Sequence, residues 1–318
     1  MDVSPADLMA GVTATAAPLL LASLGETVTE KAGVINLSLD GTILLGAMTG
    51  FAVAATSGSL AAGFLAAAAA GTAVAAVLSL IGTWLGQSQV AVGFTLTLLC
   101  RDLAYFLGTP HARQPGPQLL ASPVPLLSDL PLLGPALFNQ SLPVYLSFAA
   151  IPATWYFIYR TRPGLILRAV GENPAACWAR GIRPRLVQTA ATLAGGALVG
   201  LAGAGYSLAL KPGWGRPQGC EGIGWIALAL VIFGGWHPVR VALGAYLFGF
   251  LQISTILLQD LFPSLPTQVF QVAPFPIMIF TLILIHAGRN ARGRKQRLLL
   301  RLFRGRPPAA LGRTYRQA

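Results

Sequence analysis

Charge is scarce in this chain. Only 10% of its 318 residues are Asp, Glu, Lys or Arg, against roughly 25% in soluble globular domains. That scarcity excludes a water-solvated fold. Lysine is scarcer still: Lys31, Lys211 and Lys295 are the only three, and none follows a glycine. A phosphate-binding loop needs a Gly-Lys step so that backbone amides and the ammonium hold the nucleotide together, so ATP is not bound here in that way. The three cysteines, Cys100, Cys177 and Cys220, match no metal or CxxC spacing and read as free thiols. The three histidines, His111, His237 and His286, have no Cys or carboxylate at ligand spacing. No catalytic constellation, metal site or cofactor site is expected. Within the apolar segments as read from hydropathy, Asp40 is the only acid well inside, which excludes a row of carboxylates serving as a proton relay.

What is present is hydrophobic. Apolar residues make up 54% of the chain, and the mean hydropathy is +0.65. A bilayer core takes about 20 apolar residues per helix. Candidate spans lie at 8–25, 34–56, 60–83, 89–107, 143–159, 186–210, 223–235, 241–259 and 269–286. The expectation is an all-α polytopic membrane protein with about nine or ten helices, a transmembrane domain over 1–288 and a basic tail over 289–318. Asp2 and Asp7 precede the first span with no basic residue before it, so it reads as a retained span. Ten of the 22 Lys and Arg residues follow His286. A basic run directly after an apolar span anchors at anionic lipid and needs no nucleic acid to explain it. Six arginines lie in 160–185. The positive-inside rule puts that segment and the tail on the cytoplasmic side, and counting back places the N-terminus outside. The connection 108–142 then lies outside; it is Pro-rich and too apolar for a solvated loop, and reads as a packed lid or a docking surface.

Two apolar segments are interrupted. One runs from Ala32 to Gly41; the other is short, about 20 Å at 1.5 Å per residue, and ends at Gly234, Gly235 and Pro238. Interrupted segments in the two halves of a transporter point to an internal repeat and a central binding region. The sharpest polar cluster is Asn36, Ser38, Asp40 and Thr42. A segment unwound between Gly33 and Gly41 lets several of them face one cavity; alternatively they only cap two half-helices. Thr95, its neighbour Thr97, Gln87, Gln89, Gln252, Ser254 and Thr255 are further candidates. A lining of amides and hydroxyls suits a neutral hydroxylated solute better than an ion. The Ala- and Gly-rich stretch from Leu60 to Gly82 reads as close helix packing.

Four blocks carry a family resemblance: Glu30 to Gly41 (EKAGVINLSLDG), Pro125 to Gly134 with Phe138 to Gln140, Arg168 to Ile182 (RAVGENPAACWARGI), and Gly222 to Gly234 followed by Trp236, His237 and Pro238. The chain resembles permease subunits of bacterial ABC importers of the branched-chain amino acid, ribose and simple-sugar group. Within it, the chain is most similar to the subfamily serving nucleoside and related-sugar uptake. Ser38 stands where that family has Gly, Asp40 where it has Glu, and His237 where it has Asn. The resemblance implies a roughly ten-helix fold similar to the vitamin-importer permeases, in the bacterial inner membrane. It implies as partners a second permease, preferably a different one, a cytoplasmic ATPase and an extracytoplasmic solute-binding protein. It also implies that Gly171, Glu172, Asn173, Pro174, Ala175, Ala176 and Gly181 couple the chain to the ATPase. Residue chemistry agrees with a rigid element there: Asn173 is suited to cap a helix with Pro174 at its first position, and Glu172 favours the positive helix end. Arg168, Arg180, Arg183 and Arg185 are expected around it. The rival readings are a stand-alone secondary transporter or channel, an ABC permease for branched-chain amino acids, and a non-transporting scaffold or receptor.

Overall fold

The computed structural model describes residues 5–125, 127–128, 134–261, 276, 280 and 305–313. All but two residues of the expected span 269–286, most of the basic tail, and much of the apolar centre of the 108–142 connection lie outside these residues. Ten helices follow in chain order: α1 (Pro5–Lys31), α2 (Leu39–Ser57), α3 (Leu60–Leu78), α4 (Gln89–Gly108), α5 (Leu142–Arg160), α6 (Arg162–Glu172), α7 (Pro174–Ala179), α8 (Pro184–Gly205), α9 (Ile223–Phe233) and α10 (Pro238–Leu261). Single π-helical turns extend α3 to Trp84 and α8 to Leu210. Six of the resulting helices are long and apolar enough to cross a membrane, and α9 is a shorter apolar helix. The protein is therefore an all-α, multi-pass membrane protein.

Helix starts follow their caps. Ser59, Ser88, Thr161 and Asn173 each accept a hydrogen bond from the backbone N–H three residues on, leaving one fewer open donor per helix. The hydropathy reading stopped α1 at residue 25 and started α2 at 34. In the structure α1 continues to Lys31 and α2 begins at Leu39, so the break separates two helices and does not interrupt one.

The bundle is organised around α1 and α8. Helix α8 packs on α1, α2 and α3, while α1 also meets α5, α9 and α10. Glycine makes these approaches possible. A Cβ on Gly25 would come within 2.6 Å of the Gly195 carbonyl oxygen, and one on Gly46 within 2.7 Å of that of Gly200. The Ala/Gly-rich α3 meets α8 in the same way at Gly71 and Gly196. In a bilayer, where burial of apolar side chains gives little net drive, this backbone proximity supplies dispersion contacts instead. Leu20, Leu24, Ile43, Leu44, Phe51, Leu78, Leu208 and Phe248 fill the interior. Large apolar side chains point outward from α3 and α4, Leu65 at 72% and Phe106 at 76% exposure, as expected of surfaces solvated by lipid.

The two ends of the bundle differ. At one end lie Lys31, α6, α7 and residues 305–313. At the other, residues 113–119 of the 108–142 connection bond to residues 208–214. Ser122–Pro123 (β1) and Asn139–Gln140 (β2) form a short antiparallel ladder, with the Tyr145 hydroxyl donating to the Ser122 carbonyl. The Phe51 ring packs against Gly116. The described residues of this connection thus pack on the helix ends.

Candidate functional site

The break between α1 and α2 is tied from several sides. The Asn36 N–H donates to Glu26 Oε1 at 3.0 Å, and the Ile35 N–H to Gln89 Oε1 at 2.9 Å. The Thr97 hydroxyl donates to the Leu37 carbonyl at 2.6 Å. Within the break, Asn36 Oδ1 accepts from both the N–H and the hydroxyl of Ser38, at 3.0 and 2.5 Å. The Ser38 and Thr42 hydroxyls lie 3.3 Å apart. Asn36, Ser38, Asp40 and Thr42 are all buried. Asn36, Ser38 and Thr42 therefore form one hydrogen-bonded cluster, and Asp40 turns to other partners.

Asp40 faces the break ahead of α9 and not the interruption expected at Gly234 to Pro238, which is the turn between α9 and α10. Residues 211–222 connect the end of α8 to α9, and Gly222 precedes α9 in a left-handed conformation at φ 86°. The N–H groups of Gly222 and Gly224 donate to Asp40 Oδ1 at 2.7 and 3.1 Å. The carboxylate of α2 thereby caps the N-terminus of α9, where open donors and the helix dipole favour negative charge. A Cβ on Gly224 would collide with the Asp40 backbone, so the two helix starts touch. Asp40 thus caps α9, a helix 184 residues on in sequence, while Ser38 at the start of α2 makes no side-chain cap bond.

The connection 211–222 has its own carboxylate. Glu221 accepts from the Tyr105 hydroxyl and from the N–H groups of Gln218 (2.9 Å) and Gly219 (2.5 Å). Burial would raise its carboxyl, but the Tyr105 hydroxyl and the backbone N–H groups outweigh that and hold it below the ordinary carboxylate range. Arg216 lies over the Tyr105 ring at 4.8 Å.

Hydropathy missed two acids. Glu26 and Glu30 are buried on α1, at 0% and 3% exposure, so Asp40 is not the only acid inside the bundle. Glu30 Oε2 accepts the Trp236 indole N–H from the α9–α10 turn, and Glu26 takes the Asn36 amide. Their i, i+4 spacing is the signal that would have placed them on one helix face.

Of the other candidates, Thr95 is exposed on α4 and its hydroxyl bonds its own helix at Ala91. Its neighbour Thr97 faces the break, on the same face as the buried Gln89, Gly93 and Cys100. Gln252 is half-buried on α10, which packs chiefly on α1, α5 and α9. Among the described residues no group of three His, Cys, Asp or Glu could hold a metal.

The third block forms two helices. Gly171 sits in the last turn of α6 and is not a helix boundary; a Cβ there would collide with the Lys31 carbonyl. Asn173 Oδ1 accepts the Ala176 N–H at 3.0 Å with Pro174 opening α7, and Gly181 leaves the helix at φ 79°. Ala175, Ala176 and Trp178 are exposed, and Cys177 is the one α7 residue that is buried. Two of the expected surrounding arginines turn elsewhere: Arg168 lies over the Tyr159 ring at 5.2 Å and Arg185 over Trp84 at 5.9 Å. A flat guanidinium over an aromatic face gains about 0.5–1 kcal/mol at exposed sites and is less strongly hydrated than an ammonium.

The sequence matches the family described as branched-chain amino acid transport system / permease component over residues 8–282. The chain belongs to that family and is a permease of the ABC class. It is 39% identical over 260 residues to the putative glucose ABC transporter permease protein TsgC13 of Haloferax volcanii, covering 80% of this chain and 79% of that one. It is 30% identical to the nucleoside ABC transporter permease protein NupC of Lactococcus lactis subsp. cremoris, over 87% of this chain and 90% of that one. Identity to the guanosine ABC transporter permease protein NupQ of Bacillus subtilis is 29%, over 84% of this chain and 88% of that one. No solved structure gives a significant match.

Proposed function

We propose that this permease imports a nucleoside or simple sugar by alternating access, driven by a separate cytoplasmic ATPase and fed by an extracytoplasmic solute-binding protein. The named glucose, nucleoside and guanosine permeases support the solute class, as do the amides and hydroxyls around Asn36, Ser38 and Thr42. Solute passes the junction of the two breaks. The observation that carries the coupling is the contact of Gly171 with the Lys31 carbonyl. It places the exposed, capped α7, with Glu172 and Asn173 before it, one helix away from the break at Asn36. ATPase closure against α7 moves α6, and α6 moves the break. The six arginines of 160–185 support a cytoplasmic position for this end and an outside position for the 108–142 connection. A second permease, of different sequence, completes the pathway.

Replacing Glu172 and Asn173 together by alanine is expected to reduce ATP-dependent solute uptake to background while the membrane content of the protein stays unchanged. Undiminished uptake would sink the coupling role. Solute flux through this chain alone in liposomes, with neither ATP nor an ATPase, would favour a stand-alone transporter.

A further inference from the structure

Residues 305–313 hold three parts of the molecule at once. The Ala310 N–H donates to the Gly171 carbonyl at 2.9 Å, and the Gly312 N–H to the Gly33 carbonyl at 3.0 Å. The Ala309 N–H donates to Glu172 Oε2 at 3.3 Å. Gly305 packs backbone to backbone on Gly235 in the α9–α10 turn, and Gly312 sits against the Ile35 side chain. Pro308 and Ala310 are buried, while Arg306 and Arg313 face outward. Two turns, Leu311 to Pro308 and Arg313 to Ala310, fix the segment's shape. Consecutive prolines at 307 and 308 pre-set their own φ and bias the preceding backbone toward extension.

We propose that residues 305–313 are a clip that fastens the end of α6, the α1–α2 break and the α9–α10 turn into one moving unit. Gly33 and Gly171 belong to different elements, and each is bonded through a carbonyl to the same short segment. Gly33 opens the break that carries Asn36, and Gly171 and Glu172 close the helix that precedes α7. A displacement of α6 therefore pulls the break through two backbone hydrogen bonds as well as through the Lys31 contact. Coupling between distant sites needs such a contiguous path with defined contacts. The transmission role rests on the coupling reading above; the contact itself does not.

Two experiments separate these. In the full chain in membranes, the pair Glu172→Cys and Ala309→Cys is treated with a short bismaleimide and digested, and peptides are sought by mass spectrometry. A cross-linked 172–309 pair is expected, with neither single variant giving one; its absence overturns the clip. In the assembled transporter, a chain ending at Arg304 keeps the basic run Arg289–Arg304. Uptake is expected to fall at least tenfold while ATP hydrolysis changes less than twofold. Ala310→Pro, which removes the donor to Gly171, is expected to act in the same direction and serves if the shortened chain fails to reach the membrane. Uptake within twofold of the parent overturns the role. So does increased uptake, which makes the segment a brake, and so does a parallel loss of uptake and hydrolysis, which makes it a docking element. If the parent assembly shows no ATP-dependent uptake, the coupling reading fails while the cross-link still tests the contact.

Discussion

The two breaks, 32–38 before α2 and 211–222 before α9, use the same local chemistry and reach different ends. Each leads into a helix through an acid followed by glycine, Asp40 with Gly41 and Glu221 with Gly222. Asp40 reaches across the bundle to the first amides of α9. Glu221 turns back on its own connection and on Tyr105 of α4. Asp40 therefore caps a helix of the other half, whereas Glu221 folds its own connection and ties it to α4. The difference teaches that an interrupted apolar segment is not in itself a binding site. Its acid can be structural within the loop, or it can be the contact through which two half-helices are held in register.

Removing the joining acid has the largest expected effect. Asp40→Ala leaves the buried Gly224 N–H and the part-buried Gly222 N–H without their acceptor, costing about 2–6 kcal/mol from roughly 1–3 per unsatisfied group. Uptake is expected to fall to background, and the melting temperature in detergent to drop. Asp40→Asn keeps an acceptor oxygen and is expected to retain part of both; equal losses in the two variants would mean that charge and not capping matters. Glu221→Gln is expected to be milder, loosening 211–222 as read by hydrogen exchange while uptake persists. If it abolished uptake as Asp40→Ala does, the contrast between the breaks would fail.

Two smaller effects sharpen the contrast. Thr97→Val removes the hydroxyl bond to the Leu37 carbonyl and is expected to cost about 1 kcal/mol, whereas Thr95→Val, two residues away and exposed, is expected to change neither stability nor uptake. The pH response belongs to Glu221. A carboxyl held below its ordinary range contributes stability that is complete above the unfolded value of about 4.3 and is lost as pH falls through the folded value. Exchange protection of 211–222 is expected to hold at neutral pH and to decline only below about pH 4, and Glu221→Gln is expected to remove that decline.

Much of this was readable in the residues. The apolar runs located all described membrane helices to within a few residues, except at the α1–α2 boundary. Asn173 and Pro174 fixed the start of α7 through local cap chemistry. Hydropathy failed at Glu26 and Glu30 because it averages polarity over a window and knows nothing of partners. A carboxyl group that receives an amide or indole N–H can remain on a buried helix, and those donors come from Asn36 and from Trp236, 206 residues from Glu30. The same limit hid the preference for Thr97 over Thr95, although the α4 spacing of Gln89, Gly93 and Cys100 already marked the inward face.

The sequence by itself determined that the chain lives in a bilayer, that it lacks a nucleotide-binding lysine loop of its own, and where its helices break, because hydropathy, missing motifs and cap residues act over a few neighbouring positions. Only the tertiary structure decided what the broken ends touch. Asp40 meets Gly222 and Gly224, Gly171 meets Lys31, and residues 305–313 meet both Gly33 and Gly171. These are hydrogen bonds and backbone contacts between distant parts of the chain. They form because buried backbone donors and acceptors must find partners, and which partners they find depends on how the helices pack.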